Sequence, residues 1–447
     1  MKNKIMALVV CCKCYIASAG MIFQHQHQLH SHSHSHSLTT LIKAAMQHQP
    51  SVKIAYYETE RKKGDLQTAK SALYPTLDYS AAGTTIKKQS SDSEKNIENK
   101  VSVAYRVTDF GVRSAMIRKA EYENEGTHVD YAKSQNSVAQ EVSESYLNIN
   151  KYKEILAGIV KEKAFYKKML DNFSLLVSSG VALESDLRKV QVSIDSLNSR
   201  EIMYQSMLDS EMFKLKNMTG LRSLSSEQVG KPHILLERYA FISDRAKMMQ
   251  KIKLFNHDYH ILLQSQNAAL EEMSGAHSSY FPAVDLSAEY VDNHPLGNTD
   301  RNTYKNEGRV KLNISLNLFN GFKNSAQDLK VSSAYTQSKL RIEEFLLKAQ
   351  FEINNMISQY AAAKETYVVD KRSYENALQL STLYEKEFEL GQKTLLDLIS
   401  SRGEYFQSFV SMIESEYSQR QAKLRQLGLM SQLTNYLGVS QTPEAEK

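Results

Sequence analysis

Six histidines lie within residues 24–37, at His25, His27, His30, His32, His34 and His36. Imidazoles alternating in this way can chelate Zn, Ni or Cu, with the ion shared among interchangeable ligands. Nothing in the sequence fixes their geometry, and the tract reads equally as a disordered segment of biased composition. His257 and His260 stand three apart on an expected helix without a third ligand, and are read as ordinary surface residues. No Gly-rich phosphate loop, His-Glu-x-x-His or Gly-x-Ser-x-Gly is present, so neither enzyme activity nor a cofactor is expected. The cysteines, Cys11, Cys12 and Cys14, fall inside residues 1–19. That stretch reads as a secretory signal: Lys2 and Lys4, an apolar run from Ile5 to Val10, and a small-residue cleavage site at Ala17-Ser18-Ala19. Its removal would leave no thiol for disulfides, catalysis or a Cys–zinc site.

Other residues recur at matched spacing. Asp186 lies six beyond Gly180 and Asp397 six beyond Gly391, so both pairs are offset by 211, as are Leu187 with Leu398 and Asp109 with Asn320. Upstream, Pro75 of Leu-Tyr-Pro matches Pro282 of Tyr-Phe-Pro at 207. One structural unit has been used twice.

The elements that carry these positions follow from pattern. Among 447 residues only 17 are Gly and 6 Pro, and the long Ala/Glu/Lys/Leu/Gln-rich stretches favour long helices. The net charge of +5 is spread over interleaved Lys and Glu, which reads as solvated helix faces rather than a nucleic-acid footprint. No run of 18 apolar residues follows the leader.

The expected organisation is a signal at 1–19, a disordered His-rich segment at 20–37, repeat one at 38–220, a linker at 221–256, repeat two at 257–438 and a tail at 439–447. Each repeat holds a helix, a β-hairpin (76–108 and 283–319) and a long helix pair. Strands show in the alternation of Leu77, Tyr79 and Ala81, of Val101, Val103, Tyr105 and Val107, and of Val310, Leu312, Ile314, Leu316 and Leu318. The polar stretches Lys87–Asn99 and that around Pro295 and Gly297 are expected as loops. Helical patterns run from about 114 to 177 and 325 to 388, roughly 95 Å each, and outgoing helices from 184 to 218 and 394 to 436. The repeats end alike, Leu215-Lys216-Asn217-Met218-Thr219-Gly220 against Leu433-Thr434-Asn435-Tyr436-Leu437-Gly438, at an offset of 218. That offset predicts a second outgoing helix longer by seven residues, one heptad, with coiled-coil-like packing.

The fold class is therefore mainly α with β, internally duplicated. Four strands of about ten residues suit a membrane span. They cannot close a barrel within one chain, and an open sheet edge is not tolerated in lipid. Self-association is required, and three copies give twelve strands.

The order and spacing of these parts resemble the TolC family of outer-membrane export channels over nearly all of the chain from residue 38. The resemblance implies a homotrimer in outer-membrane lipid, with a 12-stranded β-barrel made from four strands per protomer. A long periplasmic α-helical barrel would continue it, and a periplasmic adaptor (membrane fusion) protein would couple it to an inner-membrane transporter. Asp109-Phe110-Gly111 resembles the branch paired with type I protein secretion; small-molecule efflux is the alternative, and an exported coiled-coil structural protein the rival of another class. The resemblance also implies that Gly180 and Gly391 form the tip turns where an adaptor docks. It places the periplasmic constriction at Asp397, with Ser400 where a second acidic ring would stand. A link joins Lys393 to Asp186 beside Ser185, and Phe388 occupies the place of a tyrosine.

Overall fold

The computed structural model describes residues 35–87, 94–231, 237–296 and 306–439. The expected leader and His25 to His34 lie outside these residues. Order is present by His36, ahead of the boundary expected at residue 38. Its N–H donates to Gln228 O at 2.7 Å and its carbonyl accepts from Gly230 N at 3.2 Å.

Helix α1 (Leu38–His48) is capped by Ser37, whose hydroxyl accepts from Thr40 N, and it buries Leu38, Leu41, Ile42, Ala45 and Met46 along one stripe. Pro50 then opens α2 (Pro50–Ser71), a position where its missing N–H leaves nothing unpaired. Strands β1 (Thr76–Ile86) and β2 (Glu94–Thr108) form the first hairpin, followed by α3 (Val112–Ser178) and α4 (Glu184–Thr219). After a 3₁₀ turn at Ser226–Gln228 come α5 (Arg245–Phe255), α6 (His257–Ser278), β3 (Ala283–Leu296), β4 (Asn306–Ser315), α7 (Lys323–Glu389), α8 (Leu395–Leu429) and the short α9 (Leu433–Tyr436). At 67 residues each, α3 and α7 are about 100 Å long.

The duplication is deeper than the motifs suggest. Helices α1 and α5 both have 11 residues, α2 and α6 both have 22, and each pair is offset by 207. Repeat two therefore starts at Arg245, inside the segment read as a linker. The same offset relates Thr76 to Ala283 and Thr108 to Ser315, the first and last residues of the two hairpins. From Val112 and Lys323 onward it becomes 211. The change is made in one place: the hairpin joins its long helix through 109–111 in repeat one and through 316–322 in repeat two. Leu316 and Leu318, expected at the end of a strand, belong to that longer connection. They keep the alternation of Val310, Leu312 and Ile314 without a ladder partner. Two further loop limits are corrected: Pro295 lies within β3, and β2 starts at Glu94, because pairing with β3 runs from Lys95–Leu296 to Thr108–Val284.

The expected extra heptad is absent. Helix α8 has 35 residues against 36 in α4, and it stops at Leu429. Gly220, at φ +73, terminates α4, and Ser431, at φ +54, stands 211 residues later at the end of α8. The joints agree: Gln49 Nε2 donates to Met218 O at 3.0 Å, and Asn256 Nδ2 donates to Leu429 O at 2.8 Å. Gly438, matched to Gly220 by sequence, instead closes a separate turn of α9.

Fully buried residues gather at mid-length where α1, α3, α4 and α8 meet, among them Leu41, Ile42, Leu147, Ile149, Leu215 and Leu424, and Ile252 of α5, which packs on α6 and α7, is covered as completely. There Gln426, also fully buried, accepts from Tyr239 Oη and Ile242 N and donates to Ile242 O, all within 2.9 Å. Nearer the tip, Arg402 of α8 forms a two-pronged ion pair with Glu162 of α3, at 3.2 Å from Nε and 2.5 Å from Nη2, and lies 3.9 Å from the Phe165 ring centroid.

Candidate functional site

Two regions could carry function: the sheet and the paired turns at the far ends of the long helices. The strands form one antiparallel sheet in the order β1-β2-β3-β4, so β1 and β4 are both edges. Register sorts its side chains onto two faces. On one, Leu77, Val103, Ala288 and Val310 make a row, followed by Tyr79, Val101, Tyr290 and then by Tyr105, Leu286, Leu312. This face is open to the surroundings, with Leu77 72%, Val310 76% and Ile314 66% exposed.

The opposite face carries Asp78, Ser102, Glu289 and Arg309 in one row, and Thr76, Ala104, Ser287 and Lys311 in the next. Its charges pair across strands, Lys100 with Glu289 at 2.9 Å, Lys311 with Glu289 at 3.2 Å and Arg106 with Asp285 at 2.8 Å. An apolar face backed by an ionic one matches a wall between lipid and water, not one side of a packed core.

Where the sheet meets α3, Asp109 is buried. It accepts from the Gly111 and Arg113 amides and pairs with Arg113 Nε at 2.9 Å. The equivalent residues of repeat two, Asn320 and Asn324, make an amide pair at 2.7 Å. Asp109-Phe110-Gly111 is thus a capping device at the start of a helix, with Phe110 stacked 5.7 Å from Phe281.

At the other end, α3 and α7 stop in the same way. Gly180 and Gly391 adopt φ +76 and +74, and the next amides, Val181 and Gln392, donate back to Leu176 O and Glu387 O at 2.9 and 2.8 Å. This is the Schellman closure, which a side chain at either glycine would strain. Ser185 and Asp186 lie in the first turn of α4, Ser185 exposed and Asp186 half-buried. Asp186 pairs with Lys189 at 3.1 Å, while Lys393 Nζ sits 4.4 Å above the Tyr384 ring. Within one protomer the structure does not bring Asp186 and Lys393 together.

Asp397 forms a capping box with Thr394. Its carboxylate accepts from the Thr394 hydroxyl and amide at 2.8 and 3.0 Å, and these bonds hold its pKa below the ordinary carboxylate range. Asp397 therefore carries a full negative charge at neutral pH. Ser400 is exposed just beyond it, and Phe388 stacks on Phe173 at 6.1 Å, tying the end of α7 to that of α3.

The sequence reading missed the Glu162–Arg402 pair, which joins residues 240 apart and leaves no local signal. Among the described residues no group of three His, Cys, Asp or Glu could hold a metal ion.

The sequence model of the outer membrane efflux protein family matches residues 41–221. The match falls on the first repeat and spans less than half of the chain. No curated protein matches the sequence. Among solved structures, the outer membrane protein VceC of Vibrio cholerae superposes on this chain with a TM-score of 0.76 at 14% identity, covering 88% of this chain and 96% of that one. The Campylobacter jejuni CmeC outer membrane channel gives 0.74 at 14% identity over 91% and 87%, and the open Neisseria gonorrhoeae MtrE outer membrane channel gives 0.75 at 14% over 88% of both chains. The fold is that of these outer-membrane channels, with four strands in the chain.

Proposed function

We propose that three copies of this chain assemble into the outer-membrane exit duct of a tripartite export system. The carrying observation is the sheet: two free edges, an exposed apolar face and an ionic opposite face on four strands. Closing four strands on themselves is not feasible, whereas three copies reach twelve, within the range of membrane barrels that begins at eight. The helices would extend the tube through the periplasm to meet an adaptor and an inner-membrane transporter at the Gly180 and Gly391 turns. The rival reading, an exported coiled-coil protein, offers no reason for an apolar sheet face open to the surroundings.

Efflux is the activity for which the family is named, and passive conduction of exported cargo is the role this chain would take. For cargo, type I protein secretion rested on Asp109-Phe110-Gly111. That motif's capping of α3 is a sufficient structural reason for it, so small-molecule efflux stands beside secretion as the second reading. Asp397 would ring the narrow end with carboxylates. A Lys393–Asp186 link would have to form between turns of adjacent copies or after both residues exchange their partners.

Purified protein in detergent should run as a heat-modifiable trimer and conduct ions across a planar bilayer. A monomer that never conducts would end the proposal. Replacing Asp186 and Lys393 together by alanine should raise closed-state leak; unchanged leak would remove the gate while leaving the duct.

A further inference from the structure

The joints between incoming and outgoing helices share one side-chain bond to the outgoing helix and differ at two places. The first is that Asn256 also caps α6, accepting from Tyr259 N at 2.9 Å, which Gln49 does not do for α2. Gln49 and Asn256 each hold the last carbonyls of α4 and α8. The next residue is Pro50 in repeat one and His257 in repeat two, opening α2 and α6 respectively. Proline has no N–H to offer. The His257 N–H donates to Ser431 Oγ at 3.1 Å. Ser431 stands where repeat one has Gly220, and it is held in the left-handed region that costs a residue with a Cβ about 1–2 kcal/mol. Repeat two is thus fastened by an extra bond, to a residue under backbone strain.

The His257 ring is half-buried, and its Nδ1 is enclosed without a hydrogen-bond partner. The groups around it offer a protonated ring little. On its own helix stand Asp258 and His260, and from α3 comes Lys133, whose Nζ lies 2.7 Å from Asp258 Oδ1 and so takes up that charge. The end of α5 (254–256) and the turn after α8 (429–432) contain no ionisable residue, and α7 presents Phe345 to Tyr259. The first turn of a helix also disfavours a cation. Burial, foremost, holds the imidazole below its ordinary pKa, with Lys133 and His260 adding to the effect and Asp258 opposing it.

We propose that His257 is an acid-released latch between the two arms of repeat two. Neutral, its ring stays enclosed and the backbone grips Ser431. Protonated, it must reach water, which opens the joint to the end of α8 while the Pro50 joint of repeat one stays shut. The sign follows from linkage. A histidine with a lowered pKa in the folded state contributes stability that is complete above its unfolded value of 6.5 and lost as pH falls through the folded value. Acid would therefore loosen one repeat and not its twin.

Hydrogen exchange on the full chain in detergent tests this, at about pH 7.5 and about pH 5 after correction for intrinsic rates. Peptides spanning 425–439 should lose about tenfold or more of their protection in acid, and those spanning 214–224 less than about twofold. His257→Gln should abolish the difference, with His257→Asn as a second neutral occupant should the first fail to assemble. His260→Gln should behave like the wild type. Equal losses in both repeats, no loss in the wild type, an unchanged loss in the His257 variants, or its disappearance in His260→Gln would each overturn the latch. None of these readouts depends on conduction, so failure here is distinguishable from failure of the export reading.

Discussion

Replacing Arg402 by methionine tests whether the link between α3 and α8 is a buried charge held by its partner. The Glu162 side chain is 4% exposed and that of Arg402 13%, so methionine fills much of the space but leaves a carboxylate enclosed and unpaired. Breaking such a pair costs about 3–5 kcal/mol when the remaining charge has no escape. Glu162 does have one, since it can take up a proton. From its ordinary value of 4.5, protonation at pH 7 costs 2.5 pH units, or about 3 kcal/mol, and this caps the loss.

Burial already pushes the Glu162 pKa up in the intact protein, against the pull of Arg402. Removing Arg402 raises it further. A carboxyl with a raised folded pKa contributes stability that is complete below 4.5 and lost as pH rises through the folded value. The deficit of Arg402→Met relative to the wild type should therefore stay below about 3 kcal/mol near pH 7, shrinking by about 1.4 kcal/mol per unit until pH reaches the raised pKa of Glu162 in the wild type. Denaturant midpoints of the assembled protein, followed by helical circular dichroism across that range, measure it. Adding Glu162→Gln should restore most of the loss. A deficit that does not shrink in acid, or a double variant as weak as the single one, would refute the reasoning.

The remaining expectations concern the turns and the wall. Gly220→Ala should destabilise far more than Gly180→Ala: both residues have positive φ, but a Cβ on Gly220 would come within 2.7 Å of His48 Nδ1, whereas Gly180 faces open space. Thermal melts should separate the strain common to both, about 1 kcal/mol, from the added clash. Val310→Arg, on the apolar face, should cost about 2–4 kcal/mol near mid-membrane and deplete membrane-inserted trimers, while Ser287→Arg on the ionic face should assemble normally. Equal yields from the two, read on unheated gels, would contradict the assignment of faces.

Much of the fold was visible in the residues, because its strongest signals are local. Alternation revealed the hairpins, scarcity of breakers revealed the long helices, and the paired glycines marked both turns. What escaped depended on contacts. The pattern through Val310, Ile314 and Leu318 has no break at Ser315, since alternation continues wherever backbone stays extended; only the loss of a ladder partner ends the strand. The end of α8 was misread because a glycine is the usual left-handed terminator, and here Ser431 takes that conformation. His257 was taken for a surface residue since its spacing offered no ligand set, while its enclosure comes from chain 174 residues away. Of the candidate site, the Asp397 cap lies within one turn and could be read; the partners of Asp186 and Lys393 could not.

Helices α3 and α7 both count 67 residues, although their hairpin connections differ in length. Each residue added to one alone would push its turn about 1.5 Å deeper and swing every later side chain by about 100°. The depth of such a tube is consequently a shared dimension. It can be altered over generations only by matched edits to both copies, and an unpaired indel would skew the rim that any docking partner must meet.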